Sequence, residues 1–555
     1  MVEKIFEKTT VFENGKPPAL NLSKGDAEEI VVTGGQSWKC PVYTRRMPPC
    51  RNECPSSEDI RGYLTEVAQA EMLKKPLDEA FDNAWYTLTD KNPMPATHGR
   101  ICPHPCETGC NRQHKDSSVA INNFERYIGD HGLKRGLKLK KLTDEKKDKK
   151  AAVIGSGPSG LSCAYQLARR GYPVTVFEAF EKAGGMLRYG IPEYRLPEDV
   201  LDGEIKNILD LGVELKLNTR IGKDISFDDI KKEYDVVYLA VGAHKGVTIG
   251  VEGEDSANVF TGASYLNRIK SGAEVEVGKN VVVIGGGDSA VDAARVSLRL
   301  LSDSSKTALD SARVTKRIFE KANVTILYRR TKNEMPAIKQ DVEEAENEGI
   351  HFEFLAAPVG FVTDGGRVKS ITCTRMELGE PDSSGRRRPV PISGSEFTIN
   401  TDTVIVGIGQ SPELVGGLAE LANEWGFIDV NDSQETKVKG IFAGGDVQGL
   451  GISTASVGHG RKAAEAMDSY LKGVRHRVVA LPRPIKETEM RLDYYPPVPR
   501  NEEKSLSVEE RIHGFEEVNQ TLSAEQALAE SQRCMSCGLC SVCDECRIMC
   551  PRDAI

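Results

Sequence analysis

The sequence predicts an α/β protein with two Rossmann-like nucleotide-binding domains and a cysteine-rich segment towards each end. The first observation is a β-branched run, a G-x-G-x-x-G turn and a helical segment at residues 153–160. The second is the same order of strand, glycine turn and helix about one domain later, at residues 280–292. The third is that all but two of the 14 cysteines lie in two groups towards the chain ends, as metal-binding segments would place them.

The first glycine motif has the residues that a dinucleotide pyrophosphate requires. Gly155 allows the tight turn, Gly157 lets the backbone approach the pyrophosphate at a helix N-terminus, and Gly160 lets the helix pack on the strand. The next short strand ends in Glu178, where an acid would hold a ribose diol. A glycine turn without a ligand is the alternative for a lone motif, and the acid at this distance counts against it.

The second motif predicts a second nucleotide. Its turn and helix start supply Gly285, Gly286, Gly287, Asp288 and Ser289. If one nucleotide were FAD and the other a nicotinamide coenzyme, hydride could pass between them directly, so no catalytic side chain is predicted.

The strand that follows, at residues 324–328, ends in Arg329 and Arg330 instead of an acid. Guanidinium groups bind a 2′-phosphate through a bidentate fork, which favours NADPH, whereas arginines that only cover the sheet would leave NADH acceptable.

The N-terminal cysteines predict a small helical domain held together by metal. They are Cys40, Cys50, Cys54, Cys102, Cys106 and Cys110. Residues 59–85 between them have helical apolar spacing. Disulfides are disfavoured in a reducing compartment, so thiols in close groups are expected to be metal ligands. Zinc and iron–sulfur clusters both take such ligands, and the spacing leaves both open. The isolated Cys163 and Cys373 are expected to be core residues.

The C-terminal segment carries a stronger signal. Cys540, Cys543, Cys546 and Cys550, the last followed by proline, match the bacterial ferredoxin pattern C-x2-C-x2-C-x3-C-P. Residues 531–555 are therefore predicted to be a ferredoxin-like segment, and the charged, proline-containing residues 476–530 to be an extended arm. One such run predicts either a single C-terminal cluster or completion by a partner.

Length and composition narrow the class of protein. A chain of 555 residues predicts about three or four domains. A net charge of -9 without a basic patch argues against binding to nucleic acid. The N-terminus lacks the apolar core of a signal peptide, and no stretch reaches the roughly 18 apolar residues of a membrane helix, so a cytoplasmic protein is expected.

Further motifs indicate a family. They are residues 183–192, 195–197, 238–243, 328–330, 334–337 and 442–446. In these motifs the chain resembles the small subunit of NADPH-dependent glutamate synthase, over most of residues 36–475. The resemblance implies a helical iron–sulfur domain over residues 1–145 and an FAD domain over 151–265 and 400–475. An NAD(P) domain over residues 278–398 would be inserted into the FAD domain.

The resemblance also implies which residues contact FAD. They are Gly155, Gly157, Gly160, Glu178, Gly185, Met186, Leu187, Asp446, Thr454 and Ala455. Further residues are expected to bind a cofactor, without a choice between the two nucleotides: Pro158, Ser159, Arg195, Val241, Gly242 and Gly445. A helix predicted over residues 459–470 would point its positive end at the flavin. His459 is expected to be a polar cap there instead of a proton donor.

For the N-terminal thiols, the resemblance implies two [4Fe–4S] clusters, one of which has a ligand other than cysteine. Matched by motif, one cluster would be held by Cys54, Cys102, Cys106 and Glu125, and the other by Cys40, Cys50 and Cys110. The Arg-Cys-x-x-Cys-Gly segment that usually opens this family is missing from the N-terminus, but residues 533–538 match it and contain Cys534 and Cys537. We hypothesise that this segment folds back to complete the second cluster, or that it shifts the register of the ferredoxin run.

These features predict an oxidoreductase subunit that moves electrons between NADPH, or NADH, and a partner protein or ferredoxin. FAD and at least three clusters, two N-terminal and one C-terminal, would carry the electrons. The chain is expected to act in a hetero-oligomer with a catalytic partner subunit. A redox-sensing scaffold with structural clusters and a subunit for flavin-based electron bifurcation are the alternatives.

Overall fold

The computed structural model of the chain describes residues 30–32, 42–44, 46–302, 323–382 and 385–538. The predicted ligands Cys40, Cys540, Cys543, Cys546 and Cys550 lie outside the described residues. Within the described ranges, no helix is both long and apolar enough to cross a membrane.

The N-terminal part is helical, as the apolar spacing predicts. A short antiparallel pair, Ile30–Val32 with Val42–Thr44, precedes it. The helices are Pro49–Glu53, Ile60–Ala68, Leu77–Thr89, Pro95–Ile101, Pro105–Thr108 and Ile121–Lys134. Tyr63, Phe81 and Phe124 are fully buried between them. A Cβ on Gly129 would lie 2.2 Å from the Ala96 nitrogen, so two of these helices touch backbone to backbone.

The first parallel sheet follows and is built around the first glycine motif. Its strand order is Ile441–Ala443, Val236–Leu239, Ala151–Ile154, Val174–Phe177 and Glu214–Lys216. Its helices are Pro158–Ala168, Met186–Tyr189, Glu198–Leu209, Phe227–Glu233 and Ser453–Leu471. The strands that contain Val153 and Val176 are buried on both faces, as expected where helices cover both sides of a parallel sheet.

The second parallel sheet is built around the second glycine motif. Its strand order is His351–Phe354, Asn323–Tyr328, Asn280–Ile284, Thr403–Val406 and Val259–Thr261. Its helices are Gly262–Lys270, Asp288–Ser302 and Lys339–Asn347. An antiparallel sheet of Ala356–Asp364, Arg367–Pro381, Arg387–Pro391 and Phe397–Asn400 is attached to it. The short strands Lys245–Gly246 and Gln410–Ser411 pair where the chain crosses between the two sheets.

The expected domain boundaries at residues 265 and 400 differ from this topology. The strands Val259–Thr261 and Thr403–Val406 fall in the predicted FAD segments, but both lie in the second sheet. Val404 and Ile405 are fully buried there, because the strand between residues 280–284 and 259–261 is covered on both faces. An apolar strand of four residues fits either sheet, so the sequence alone could not assign it.

The C-terminal arm, which we define as residues 476–538, runs over the other parts of the molecule. It includes the helices Val508–Ile512 and Ala524–Gln532. Arg112 donates to the Pro496 carbonyl oxygen at 2.9 Å, which ties the arm to the N-terminal helices. Ile512 and Phe515 pack against the core of the second parallel sheet. The arm therefore connects the N-terminal helices to the domain that carries the second glycine motif.

Glu204 fastens the N-terminal helices to the first parallel sheet. Its two carboxylate oxygens accept hydrogen bonds from the backbone nitrogens of Ala96 and Thr97, at 2.6 and 2.9 Å. These are free N–H groups in the first turn of Pro95–Ile101, where an acid is favourable. The next residues along this short helix lead directly to Cys102.

Candidate functional site

A cavity of about 1000 Å³ lies between the two parallel sheets and is lined by both glycine turns. The predicted residues that line it are Gly155, Gly157, Pro158, Ser159, Glu178, Gly185, Met186, Leu187, Arg195, Val241, Gly242, Gly285, Gly286, Gly287, Asp288, Ser289, Arg329, Arg330, Gly445 and Asp446. Gly160, Thr454 and Ala455 were also predicted to contact a cofactor but are not part of this lining. A Cβ on Gly160 would lie 2.0 Å from the Gly155 carbonyl oxygen, so Gly160 serves the helix–strand contact.

The first glycine turn opens backbone N–H groups to the cavity. Gly155 has φ 102°, and a Cβ there would lie 2.2 Å from the Ala240 carbonyl oxygen. Gly157 precedes the helix Pro158–Ala168 and has no side chain to cap its N-terminus. The atom nearest to a Cβ on Gly157 would be the Gly185 Cα, 4.0 Å away. This end of the helix is therefore an open anion site between two glycines.

Glu178 is held rigidly at the end of its strand. The carboxylate is buried and accepts hydrogen bonds from Ser156 N at 2.9 Å and Phe180 N at 2.9 Å. The Ser156 hydroxyl donates to the same carboxylate at 2.5 Å. An acid fixed in this way at the cavity wall has the position and the acceptor capacity to hold a ribose.

The second glycine turn resembles the first in its backbone, and its helix begins with an acid, Asp288. Gly285 has φ 146°, and a Cβ on it would lie 2.1 Å from the Gly407 carbonyl oxygen. No atom lies within 4 Å of a Cβ placed on Gly287, so this position faces open space in the cavity. Asp288 accepts from Ile338 N at 2.8 Å, and burial raises the pKa of its carboxyl group.

The two predicted 2′-phosphate ligands have different environments. The Arg330 side chain is buried, donates to the Arg387 carbonyl oxygen at 2.7 Å and pairs with Asp382 at 2.7 Å. Arg329 is exposed at the cavity and forms no ion pair within the described part of the chain. Arg386 also lines the cavity. Arg386 was not among the predicted ligands, although it begins a run of three arginines at residues 386–388.

Arg195, predicted to bind a cofactor, lines the cavity and also joins the two nucleotide domains. Its guanidinium group pairs with Asp292 at 2.8 Å and Asp341 at 3.0 Å, both on helices of the second sheet. Burial by itself would lower the pKa of Arg195, but the two carboxylates raise it above its usual value. The side chain therefore acts as a buried ionic link at the cavity wall.

The turn that contains Gly445 and Asp446 is held by a neutral histidine. His459 Nδ1 accepts hydrogen bonds from Gly445 N at 3.3 Å and from the Gln448 amide at 2.6 Å. Burial and the charge of Lys462 lower the pKa of His459 to about 4. Burial raises the pKa of Asp446 to about 6, and its carboxylate accepts from Gly451 N at 3.2 Å.

A group of thiols lies directly behind one wall of the cavity. We call Cys54, Cys102 and Cys106, together with Glu125, the inner thiol group. Ile101 and Pro103 line the cavity, and Cys102 lies between them in the sequence. The Thr454 hydroxyl donates to Cys102 Sγ at 3.1 Å. Thr454 faces the thiol while Ser453 and Ser456 face the cavity, because successive residues of a helix point in different directions.

The inner thiol group contains two buried carboxylates. Asn92 donates to Glu125 at 2.9 Å. Glu58 is equally buried, and burial raises its pKa to about 7. Burial and then the charge of Glu58 raise the pKa of Cys54. The sequence argument missed Glu58, whose signal was an acid four residues after a predicted ligand.

The described thiols other than Cys163, Cys373 and the inner thiol group form a second group. We call Cys50, Cys110, Cys534 and Cys537 the outer thiol group. Burial raises the pKa of Cys50, and the neighbouring thiols of Cys534, Cys110 and Cys537 raise it further. All described cysteines are free thiols, and Cys163 and Cys373 are fully buried in the core as expected. Among the described residues, no three Cys, His, Asp or Glu side chains are arranged around a single metal-ion position.

Comparison with known proteins identifies the family. Residues 149–463 match the family described as pyridine nucleotide-disulphide oxidoreductase. The chain belongs to this family. Residues 35–137 match a second family, dihydropyrimidine dehydrogenase domain II, 4Fe-4S cluster.

Curated relatives cover most of the chain. The β subunit of NADPH-Fe(3+) oxidoreductase from Geobacter sulfurreducens is 34% identical over 96% of this chain and 81% of its own length. The small chain of Escherichia coli glutamate synthase [NADPH] is 33% identical over 84% of this chain and 95% of its own. The β subunit of the Moorella thermoacetica NADP(+)-dependent formate dehydrogenase is 36% identical over 88% and 70%. The predicted resemblance to the glutamate synthase small subunit is confirmed.

A solved structure supports the same fold. Mycobacterium tuberculosis FprA in complex with NADPH has a TM-score of 0.51 and 18% identity, covering 59% of this chain and 85% of its own. At this identity the likeness concerns the fold alone.

The match of residues 35–137 to a 4Fe-4S family decides between the zinc and iron–sulfur interpretations of the N-terminal thiols, in favour of iron–sulfur. This family member is therefore an oxidoreductase with an N-terminal 4Fe–4S domain.

Proposed function

We propose that this chain is an electron-transfer subunit that moves electrons between NADPH and a partner protein or ferredoxin through FAD and [4Fe–4S] clusters. The observation that carries the proposal is the cavity itself. Both glycine turns open into it, and Cys102 of the inner thiol group lies behind its wall. A nicotinamide, a flavin and a cluster would therefore adjoin one another in this order.

FAD fits the first glycine turn on the geometry of its backbone. The open helix N-terminus at Gly157 suits a pyrophosphate, and the fixed carboxylate of Glu178 suits a ribose. NADPH fits the second turn in the same way, with Gly287 open to the cavity. The cavity volume of about 1000 Å³ is at the upper end for small-molecule sites.

The chemistry of transfer would come from the cofactors. When bound, FAD can accept one hydride, which carries two electrons, from NADPH and can exchange electrons one at a time with an iron–sulfur cluster. The protein would hold the two nucleotides in one cavity, each at its own glycine turn. The ionic link from Arg195 to Asp292 and Asp341 fixes the relative position of the two domains.

The inner thiol group would hold the cluster nearest the flavin. Cys54, Cys102 and Cys106 supply three thiolates, and the buried carboxylate of Glu125 is the proposed fourth ligand. Glu58 is a second buried carboxylate in the same group and could take that place instead. Iron content and cluster spectra of Glu125→Gln and Glu58→Gln would distinguish the two carboxylates.

The relatives and the sequence support a proposal for the protein that receives the electrons. Relatives that cover most of the chain are named as subunits or chains of larger enzymes, which supports a partner subunit. The run Cys540, Cys543, Cys546 and Cys550 is proposed to carry a further cluster towards that partner or a ferredoxin.

An anaerobic titration with NADPH tests the proposal. Protein loaded with FAD and iron–sulfur clusters would be titrated while flavin absorbance and the paramagnetic signals of reduced clusters are followed together. We expect the flavin to bleach first and cluster signals to follow. Bleaching without any cluster signal, or a protein that binds no FAD, would contradict the proposed function.

The different settings of the two arginines predict different mutant phenotypes. Arg329→Ala is expected to lower kcat/KM for NADPH roughly 10- to 100-fold, as loss of a hydrogen bond to a charged group does, and to leave kcat/KM for NADH nearly unchanged. Arg330→Ala is the matched control and should lower both values and the melting temperature, because it breaks the buried pair with Asp382. A constant NADPH-to-NADH ratio in Arg329→Ala would refute a role in coenzyme choice.

The contact between Thr454 and Cys102 predicts a shift in cluster potential. Thr454→Val removes a hydrogen bond to a proposed ligand sulfur, and such bonds help to set cluster potentials. Since the bond stabilises the more negative, reduced state, the inner cluster should become harder to reduce. A redox titration followed by electron paramagnetic resonance measures this, and Thr454→Ser, which keeps the hydroxyl, should retain the wild-type potential. An equal potential in all three proteins would exclude the effect.

A further inference from the structure

The segment at residues 533–538 is built into the N-terminal helices by buried ionic contacts. Arg533 is only 1% exposed and donates to the Ser118 carbonyl oxygen at 3.0 Å and to that of Ser117 at 2.8 Å. Glu530 is fully buried, pairs with Arg533 at 2.5 Å and accepts from Ala120 N at 2.7 Å. Charges are buried only when they are paired, so this segment has one defined position.

The residues beside the two thiols are also fixed. Arg61 donates to the Cys537 carbonyl oxygen at 3.0 Å, and the hydroxyls of Thr65 and Ser536 lie 3.3 Å apart. Gly538 has φ 85°, and a Cβ on it would lie 2.7 Å from the Arg46 carbonyl oxygen. The end of the described chain is thus held against the helix Ile60–Ala68 and the residues just before Cys50.

This placement brings two C-terminal thiols to two N-terminal ones. Cys50, Cys110 and Cys534 pack at the same apolar core, and Cys537 packs with Met490 and Met535 beside it. Arg112, two residues after Cys110, donates to the Arg533 carbonyl oxygen at 2.9 Å, directly before Cys534. The side chain of Asn111 donates to the sulfur of Met490 at 3.2 Å. A Cβ on Gly109, the residue before Cys110, would lie 3.4 Å from the Pro49 carbonyl oxygen, directly before Cys50.

We infer that Cys50, Cys110, Cys534 and Cys537 form one four-thiolate site for a second [4Fe–4S] cluster, which joins the two ends of the chain. Four cysteines are the full ligand set of such a cluster, so Cys40 is not required. The four thiols would release their protons on binding. The inference rests on the proposed function for the type of metal group and deepens it by assigning this ligand set.

The site would also fasten the C-terminal arm. Between residue 476 and Cys534 the arm pairs with several parts of the molecule. Glu517 pairs with Arg100 at 2.6 Å and Arg126 at 2.7 Å, and Val518 N donates to the Tyr194 carbonyl oxygen at 3.0 Å. A cluster bound at its end would hold the arm across the nucleotide domains.

The direct test compares a double variant with a matched control. Cys534→Ser with Cys537→Ser should lose about four iron and four sulfide atoms per chain and one cluster signal, while FAD content stays at the wild-type level. Cys373→Ser replaces a buried thiol in the antiparallel sheet and should lose none. Unchanged iron in the double variant would overturn the inference. Amide hydrogen exchange should also increase along residues 476–533, because the arm is released.

A measurement on the unaltered protein covers the case in which the double variant does not fold. Alkylation followed by mass spectrometry compares the metal-free chain with the same chain after reconstitution with iron and sulfide. Reconstitution should protect Cys50, Cys110, Cys534 and Cys537 together. Protection of Cys50 and Cys110 without Cys534 and Cys537 would overturn the inference. Neither readout uses NADPH. A failed NADPH titration would therefore reject the proposed function without deciding whether these four cysteines bind a cluster.

Discussion

Gly157→Val is expected to give a folded protein that keeps its iron and loses FAD. Gly157 has φ -69° and ψ -179°, which any residue can adopt. The atom nearest to a new Cβ is the Gly185 Cα at 4.0 Å, so the free protein has room for the side chain. The same space is where a pyrophosphate would approach the helix N-terminus. We expect FAD affinity to fall on the order of 100-fold or more, which is about 2.7 kcal/mol.

Flavin content after purification and an FAD titration of the apoprotein measure this effect. Gly360→Val is the matched control, because Gly360 also has open space around its Cβ but lies in the antiparallel sheet and is not part of the cavity lining. Normal FAD binding by Gly157→Val, with far-ultraviolet circular dichroism like that of the control, would show that FAD does not use this turn.

Gly287→Val is expected to keep both FAD and iron but to lose reduction by NADPH. No atom lies within 4 Å of a Cβ on Gly287, so the substitution should not disturb the fold. The side chain would fill the open face of the second glycine turn, where the coenzyme pyrophosphate is proposed to bind. Steric exclusion there should weaken NADPH binding on the order of 100-fold or more.

Stopped-flow measurement of flavin bleaching at several NADPH concentrations gives the affinity and the rate separately. Dithionite should still bleach the flavin of Gly287→Val, since this reductant needs no nucleotide site. If NADPH bleached the flavin of Gly287→Val with the same affinity and rate as in the wild-type protein, the second turn would not be the NADPH site. The two valine variants together would show whether each turn serves its own nucleotide.

Much of the site could be predicted from the sequence, because its backbone requirements are local. A turn as tight as that at Gly155 excludes a Cβ, and the strand before it and the helix after it set its place in the fold. Most of the predicted cofactor residues line one cavity for this reason. Arg330 and Thr454 show the limit: their partners Asp382 and Cys102 are distant in sequence, and no local pattern reveals such pairs.

The sequence by itself determined that this protein has two glycine turns for nucleotides and thiols for metal, since these depend on residue type and short spacing. The family resemblance suggested how the thiols are grouped, and only the tertiary structure shows the contacts that bring the two chain ends together. Arg112, two residues after Cys110, donates to the Arg533 carbonyl oxygen, directly before Cys534 from the other end of the chain. The grouping depends on the buried pair of Glu530 and Arg533 and on how the helices pack. These are long-range contacts, whose partners are set by the fold as a whole and not by the spacing of residues along the chain.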